Sequence, residues 1–412
     1  MNESCGRSEL DVAAMNGSSL TCVRRPRYVL RVTALDELHD DARALLHTLS
    51  GPHGIRASAS SAANYGAVFT RDAVMAGIAG ILLDDITISS ALTRTLWHLR
   101  DLQGAEGQIA SNYEAQGSRA FRVSFGSIVP RLDAPLWYLI GIGIAARADT
   151  LDPAPFERSV RAVVQLLETL EYNARHLLYV PAGGDWADEY VYEGYILHDQ
   201  VLRAWALRLV ADTYDTLAWR TKAERVERAI EQNFWPPDAA QRGYPLAAFT
   251  PTRTFTMFDL ATSSLLALTG IAPGIGSAAL DWIVERFLAR GKLPPAFHPV
   301  IEPGHPDWSA LQRYHLHGFR NRPHEYHNGG IWPIWLGWLA LALARHGRTQ
   351  DLDRLETALA ARTGAVERYG FEEYLHGETS EPAGTAQMAY SATGILFTRI
   401  ARHPRRISVL LP

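Results

Sequence analysis

Cysteine is nearly absent from the 412 residues, with only Cys5 and Cys22 in a polar N-terminal stretch. No disulfide framework organises such a chain, and a reducing compartment, the cytoplasm, is the expected setting. The opening twenty residues contain no continuous apolar run of signal-peptide type. Long hydrophobic runs are missing elsewhere too. The longest, IWPIWLGWLALALA from 331 to 344, falls short of the roughly 20 residues a bilayer span requires, so no membrane association is expected. Charge of one sign is also lacking: the net charge is −4 and the pI about 6.4, which leaves no electrostatic footprint for nucleic acid. Convincing strand patterns and linker-like stretches between domains are scarce. Residues 1–27, rich in Ser, Asn and Gly, are expected to be disordered, and 28–412 to form a single domain.

What is present is helix. Apolar spacing and boundary signals predict twelve segments, near 35–50, 71–84, 89–100, 133–147, 155–170, 194–213, 219–234, 257–270, 274–289, 330–345, 349–363 and 386–401. Two kinds alternate. Stretches such as PFERSVRAVVQLLETL and TKAERVERAIEQNF carry one apolar stripe and one charged face, whereas APLWYLIGIGIAA and FDLATSSLLALTG are apolar nearly all round and must be buried on most sides. The second kind begins near 71, 133, 194, 257, 330 and 386, so six helical hairpins repeat every 60 residues or so. Six inner helices packed roughly 8–10 Å apart enclose a central space, and the predicted fold is all-α, an (α/α)6 toroid.

In such a toroid all inner-helix N-termini face one mouth. The segments at those starts are NYGAVFTRD, RLDAPLW, GGDWADEYVYEGY, FTMFDL, HEYHNGGIWP and GFEEYLHGE, followed by GTAQMAY. Each mixes aromatic rings with carboxylates, amides or histidine. Rings stack on the apolar face of a sugar, and carboxylates and helix-end N–H groups order its hydroxyls, so the expected partner is a small sugar. Each signal alone has an ordinary explanation. Asp72 beside Arg71 is a common ion pair, Asp133 a good N-cap, and Asp84–Asp85 an acidic turn at a helix end. His324 and His327 lack the further ligands of a metal site. The weight lies in their recurrence at six regularly spaced helix starts.

The order of these motifs resembles the neutral/alkaline invertases and, more distantly, the bacterial glucoamylase, trehalase and debranching glucosidase families that share the (α/α)6 fold. The resemblance runs from about 64 to 400 and rests on VFTRD (68–72), LDAPLW (132–137), DWADEYVYEGYILHDQ (185–200), FHPVIEPGHPDW (297–308), YHNGGIWPIWLGWL (326–339) and EEYLHG (372–377). It implies a glycosidase of the inverting kind, with Asp188 as general acid and Glu373 as general base, their carboxyl groups roughly 6.5–9.5 Å apart; Glu372 is the rival for the second role. An acid that keeps its proton near neutral pH needs cover, and Trp186 is the expected source. Substrate contacts are expected from Tyr65, Arg71, Asp72, Asp133, Trp186, Gln200, His327, Asn328, Trp332 and Tyr390, with no metal or cofactor.

Four positions depart from the invertase pattern: Glu189 replaces an arginine, Leu375 and His376 follow Tyr374 where Tyr-Asp is usual, and Tyr390 stands for a tryptophan. All bear on the leaving-group side. The expected substrate is therefore a small α-glucoside such as sucrose, with a debranching-type α-1,6-glucoside as an alternative. A sugar epimerase working through paired histidines (His198, His298, His315, His317, His324, His327) and a non-catalytic sugar-binding toroid are the readings from other classes.

Overall fold

A computed structural model describes residues 27–60, 64–117, 120–126, 129–171, 175–313, 318–364 and 369–411, with side chains from residue 35 onward. The segment expected to be disordered, both cysteines, His315 and His317 lie outside the described residues, apart from Arg27 at the segment's last position. The helices are α1 (Arg27–Leu49), α2 (Thr70–Leu82), α3 (Ile86–Asp101), α4 (Asp133–Arg147), α5 (Glu157–Thr169), α6 (Leu197–Thr213), α7 (Leu217–Phe234), the single turn α8 (Ala239–Arg242), α9 (Leu260–Thr269), α10 (Pro273–Arg286), the single turn α11 (Trp308–Leu311), α12 (Pro333–Arg345), α13 (Thr349–Thr363) and α14 (Ala389–Ala401). Every one of the twelve expected segments is a helix.

The two kinds of helix sort as their composition demands. On α5 the buried residues Val160, Val163, Val164 and Leu167 form one stripe, while every residue of α9 is buried. Packing proceeds α2 to α4 to α6 to α9 to α12 to α14 and back to α2, so the six inner helices close a ring. The tightest seam joins α12 and α14: a Cβ placed on Gly337 would sit 2.5 Å from the carbonyl oxygen of Gly394, so only glycine allows that approach. Trp137 of α4, Trp205 of α6 and Trp338 of α12 meet inside the ring with centroids 5.9–6.0 Å apart. Because α4 and α12 lie opposite one another in it, these rings fill the barrel interior. Trp205 donates from Nε1 to the carbonyl of Leu410, 2.9 Å away, which ties in the C-terminal segment.

Four of the six inner helices start about three residues later than apolar spacing suggests, and the reason is a lacing of backbone hydrogen bonds around the mouth. Val68–Phe69 before α2 pairs with Asn112–Tyr113. Leu132 before α4 donates to Gly184, 2.8 Å away. Tyr195–Ile196 before α6 pairs with Ala248–Phe249, and Phe258–Asp259 before α9 with Phe297–His298. Ile331 before α12 bridges Leu375, and Met388 before α14 bridges Ser58. Each approach segment thus pairs with the loop of the next hairpin in cyclic order, satisfying peptide groups that a helix start leaves open. Asn112–Gln116 and Ala120–Ser124 add the one sizeable hairpin, which walls one side of the mouth. Asp85, expected in a helix-end turn, caps α3 by accepting from Thr87 and Ile88 N–H at 3.1 and 3.3 Å.

Candidate active site

At the laced mouth lies a cavity of about 370 Å³ whose walls include Tyr65, Arg71, Asp72, Arg131, Trp186, Asp188, Arg320, Tyr326, His327, Trp332, Glu373 and Tyr390. Five described non-glycine residues with left-handed backbone, His324 (φ 67°), Tyr326 (φ 47°), Phe371 (φ 55°), Ser380 (φ 65°) and Gln387 (φ 55°), lie in the segments before α12 and α14. Such conformations persist only where the surroundings dictate them, and here the lacing does so.

Asp188 is carried by a loop held in an aromatic stack. Trp186 lies parallel to Phe297 at 5.6 Å and Tyr190 packs on the same ring at 4.2 Å. The neighbouring Glu189 is buried and ion-paired with Arg320, whose Nε donates to it at 3.2 Å; Arg320 in turn covers the Tyr326 ring at 4.0 Å. The carboxylate that departs from the invertase pattern therefore has its cation supplied from another loop. Asn321 completes the anchor, donating to the Glu189 carbonyl at 2.8 Å and accepting from the N–H groups of His327 and Asn328 at 3.0 and 3.2 Å. Trp186 does not seal Asp188 as expected. The Asp188 side chain is 26% exposed, and its Oδ2 accepts from Nη2 of Arg131. Another nitrogen of that guanidinium donates to the carbonyl of Gly183 and, at 3.5 Å, to that of Asp185.

Glu373 enters from the loop before α14. Its Oε1 accepts from the Tyr65 hydroxyl at 3.0 Å, and its backbone N–H donates to Thr385 at 2.9 Å. A Cβ on Gly384 (φ 81°) would lie 2.6 Å from Oε2 of Glu373, so this close approach requires glycine. Burial raises the Glu373 pKa, opposed by the Arg320 charge and the Tyr65 hydrogen bond and reinforced by Asp188. Glu372 turns elsewhere: its Oε2 accepts from the Gly370 N–H at 3.1 Å, and only Glu373 of the two lines the cavity.

Of the remaining expected contacts, Tyr65, Arg71, Asp72, Trp186, His327, Trp332 and Tyr390 all border the cavity. Trp332 stacks between His327 (5.4 Å, 21°) and Tyr374 (5.9 Å, 24°). Buried Trp186 Nε1, His327 Nδ1 and Tyr390 Oη make no hydrogen bond among the described residues. Burial, and then Arg320, Arg71 and Arg131, hold His327 neutral. Asp133 stands behind the wall of this cavity and accepts from Nη1 of Arg71 at 2.8 Å, fixing that guanidinium. Gln200 and Asn328 are placed outside the cavity. The Gln200 amide serves Leu178 (N–H at 2.8 Å, carbonyl at 3.0 Å) and Ile196, and Asn328 serves Ile301 and Asn321. Both amides are consumed by backbone.

His198 is sealed under the site, and neither it, His298 nor His324 borders the cavity, so no histidine pair faces a substrate among the described residues. Beneath the cavity, Asp185 accepts from the Tyr192 hydroxyl; burial, with Asp133 nearby, pushes its pKa up to about 8, and Asp199 is raised by burial and by Asp185. Among the described residues no group of three or more His, Cys, Asp or Glu side chains is arranged to hold a metal ion, and no helix is long and apolar enough to cross a membrane.

Arg131, Arg320 and Asn321 were not expected as site residues; RLDAPLW contained Arg131 but drew attention to its aspartate. No curated protein matches the sequence. Among solved structures, the GH63 mannosylglycerate hydrolase from Thermus thermophilus, determined in complex with glucose and with Tris and D-glycerate, is similar at 15% identity and TM-score 0.63, over 87% of this chain and 99% of that one. A rhamnosidase from Klebsiella oxytoca with rhamnose bound is similar at 13% identity and TM-score 0.62, over 89% of this chain and 64% of that one. These likenesses establish the shared fold. Residues 156–393, more than half of the chain, match the model of the mannosylglycerate hydrolase MGH1-like glycoside hydrolase domain: the chain belongs to that family and is a glycoside hydrolase.

Proposed function

We propose that the protein hydrolyses a small α-glycoside with inversion, Asp188 acting as general acid and Glu373 as general base. The observation that carries this is that Asp188 and Glu373, carried by different loops, both border one cavity. Asp188 is partly solvent-accessible and held by a cation, whereas Glu373 is buried and fixed by a phenol and a backbone N–H. In this reading Asp188 gives its proton to the glycosidic oxygen as the bond to C1 breaks. Glu373 takes a proton from the water that attacks C1 from the opposite face. Tyr65 orients Glu373, and Arg71 and Asp72, braced by Asp133, bind sugar hydroxyls.

A cavity of about 370 Å³ suits one sugar ring and a small aglycone rather than a branched polymer. The family description and the D-glycerate complex of the Thermus enzyme support a short, carboxylate-bearing aglycone. Sucrose, suggested by the resemblance of VFTRD and YHNGGIWPIWLGWL to invertases, is the neutral alternative. The test is to assay α-glucosides and α-mannosides of D-glycerate together with sucrose and isomaltose. Asp188→Asn and Glu373→Gln are each expected to lower turnover at least about 10²- to 10⁴-fold. Activity that survives either change refutes the assignment of that residue.

A further inference from the structure

Three arginines border the cavity, and their counterions differ in kind. Arg71 is held by Asp133 and Asp72, and Arg320 by Glu189; Asp133 and Glu189 are buried and do not line the main cavity. Among the described residues the one carboxylate that meets Arg131 is Asp188. In the proposed reaction Asp188 must carry a proton, whereas its ion pair with Arg131 requires the ionised carboxylate. Protonating Asp188 therefore leaves Arg131 the cavity cation without a carboxylate. Its remaining hydrogen bonds, to the carbonyls of Gly183 and Asp185, hold it in place without neutralising it.

Arg131 is also at the right end of the cavity. The acid must stand beside the glycosidic oxygen, so the group next to the acid faces the departing alcohol. Ser111, Asp188 and Arg131, with Arg71 and Asp133, border a recess of about 70 Å³, and Asn112 and Ser124 of the hairpin add polar groups to the wall of the main cavity.

Resting on the hydrolytic reading above, we propose that Arg131 is a latch on the general acid that an anionic leaving group releases. With the cavity empty, Arg131 pairs with Asp188. A carboxylate on the aglycone takes over the guanidinium, Asp188 takes a proton from solvent, and that proton passes to the glycosidic oxygen as the C1–O bond breaks and water adds to C1. Glu373 receives the water's proton, and both carboxyls re-equilibrate with solvent. A neutral aglycone leaves the latch closed and is turned over slowly even when it binds. Arg131 is thus a specificity-determining residue acting on kcat more than on KM.

The test compares α-glycosides of D-glycerate and of glycerol, which carry the same sugar and exchange a carboxylate for a hydroxymethyl group. Wild-type kcat should favour the glycerate glycoside about 10- to 100-fold, the range of one charge-assisted hydrogen bond, with a smaller difference in KM. In Arg131→Gln that ratio should fall to within about threefold, chiefly through slower turnover of the anionic glycoside; Arg131→Lys should restore most of it. The α-glycosyl fluoride, whose leaving group needs no protonation and carries no carboxylate, should lose less activity in both variants than the glycerate glycoside does. A wild-type ratio near one, or a ratio unchanged in Arg131→Gln, overturns the latch. Loss of the fluoride activity together with both glycosides would assign Arg131 a purely structural role and overturn it as well. Full activity of Asp188→Asn on the natural-type glycosides would instead overturn the hydrolytic reading itself.

Discussion

Replacing Tyr65 by phenylalanine deletes one oxygen, the hydroxyl that donates to Oε1 of Glu373 at 3.0 Å. Tyr65 is itself pushed far above the usual tyrosine range by burial and by the adjacent Glu373 charge, so it remains a donor throughout the working pH range. A hydrogen bond to an ionised group contributes about 1.5–3 kcal/mol, and about 1.4 kcal/mol corresponds to tenfold. The expected loss in kcat/KM is therefore on the order of 10- to 100-fold. The pH profile carries the sharper signature. Burial raises the Glu373 pKa and the Tyr65 hydrogen bond opposes that rise, so removing the bond raises it further. Because the base works deprotonated, the acidic limb of kcat/KM should move to higher pH, and the deficit should be largest on the acid side. A variant whose acidic limb coincides with that of the wild type, at whatever overall rate, would refute the role of Glu373 as the base that Tyr65 tunes.

The buried pair beneath the site sets a stability prediction. The folded pKa of Asp185, about 8, lies above its ordinary value, so folding binds a proton that the unfolded chain releases. Stability is thus greatest below about pH 4 for this group and is lost as pH rises towards 8, on the order of 1 kcal/mol per pH unit at most. Asp199→Asn removes the neighbour that shares this burden, and its thermal midpoint should fall less between pH 6 and 8 than that of the wild type. Trp338→Ala, at the junction of three inner helices, should cost about 3–5 kcal/mol in chemical denaturation, while a change below about 1 kcal/mol would mean that the tryptophan cluster does not brace the ring.

The fold was legible because the two helix types announce their places: FDLATSSLLALTG has no face to show water, and TKAERVERAIEQNF has one. Their repeat every 60 residues or so carried the closure. The boundaries were displaced where Tyr195–Ile196 and Phe258–Asp259 pair with other loops, a non-local demand that no local pattern contains. The same limit governs the site. Asp188 and Glu373 were singled out from their acidic neighbours by the resemblance of DWADEYVYEGYILHDQ and EEYLHG to invertase motifs, but Gln200 and Asn328 look identical in sequence whether an amide faces a sugar or satisfies backbone 22 or 27 residues away. Arg131 and Arg320 passed unnoticed because a loop arginine is ordinarily a surface charge; what distinguishes them is the carboxylate each meets across the fold. The hairpin in NYEAQGSRAFRVS had a signal, a Gly-containing turn between runs of mixed polarity, that the prevailing helical pattern overshadowed.

The most direct test of the central claim is the configuration of the first sugar released, followed by proton NMR during hydrolysis of an α-glycoside. Two carboxylates acting from opposite faces with water between them predict that the β-anomer appears first and only later equilibrates to the α-form. Early α-anomer would mean a retaining pathway through a covalent intermediate, and would contradict the assignment of Glu373 as a base acting on water.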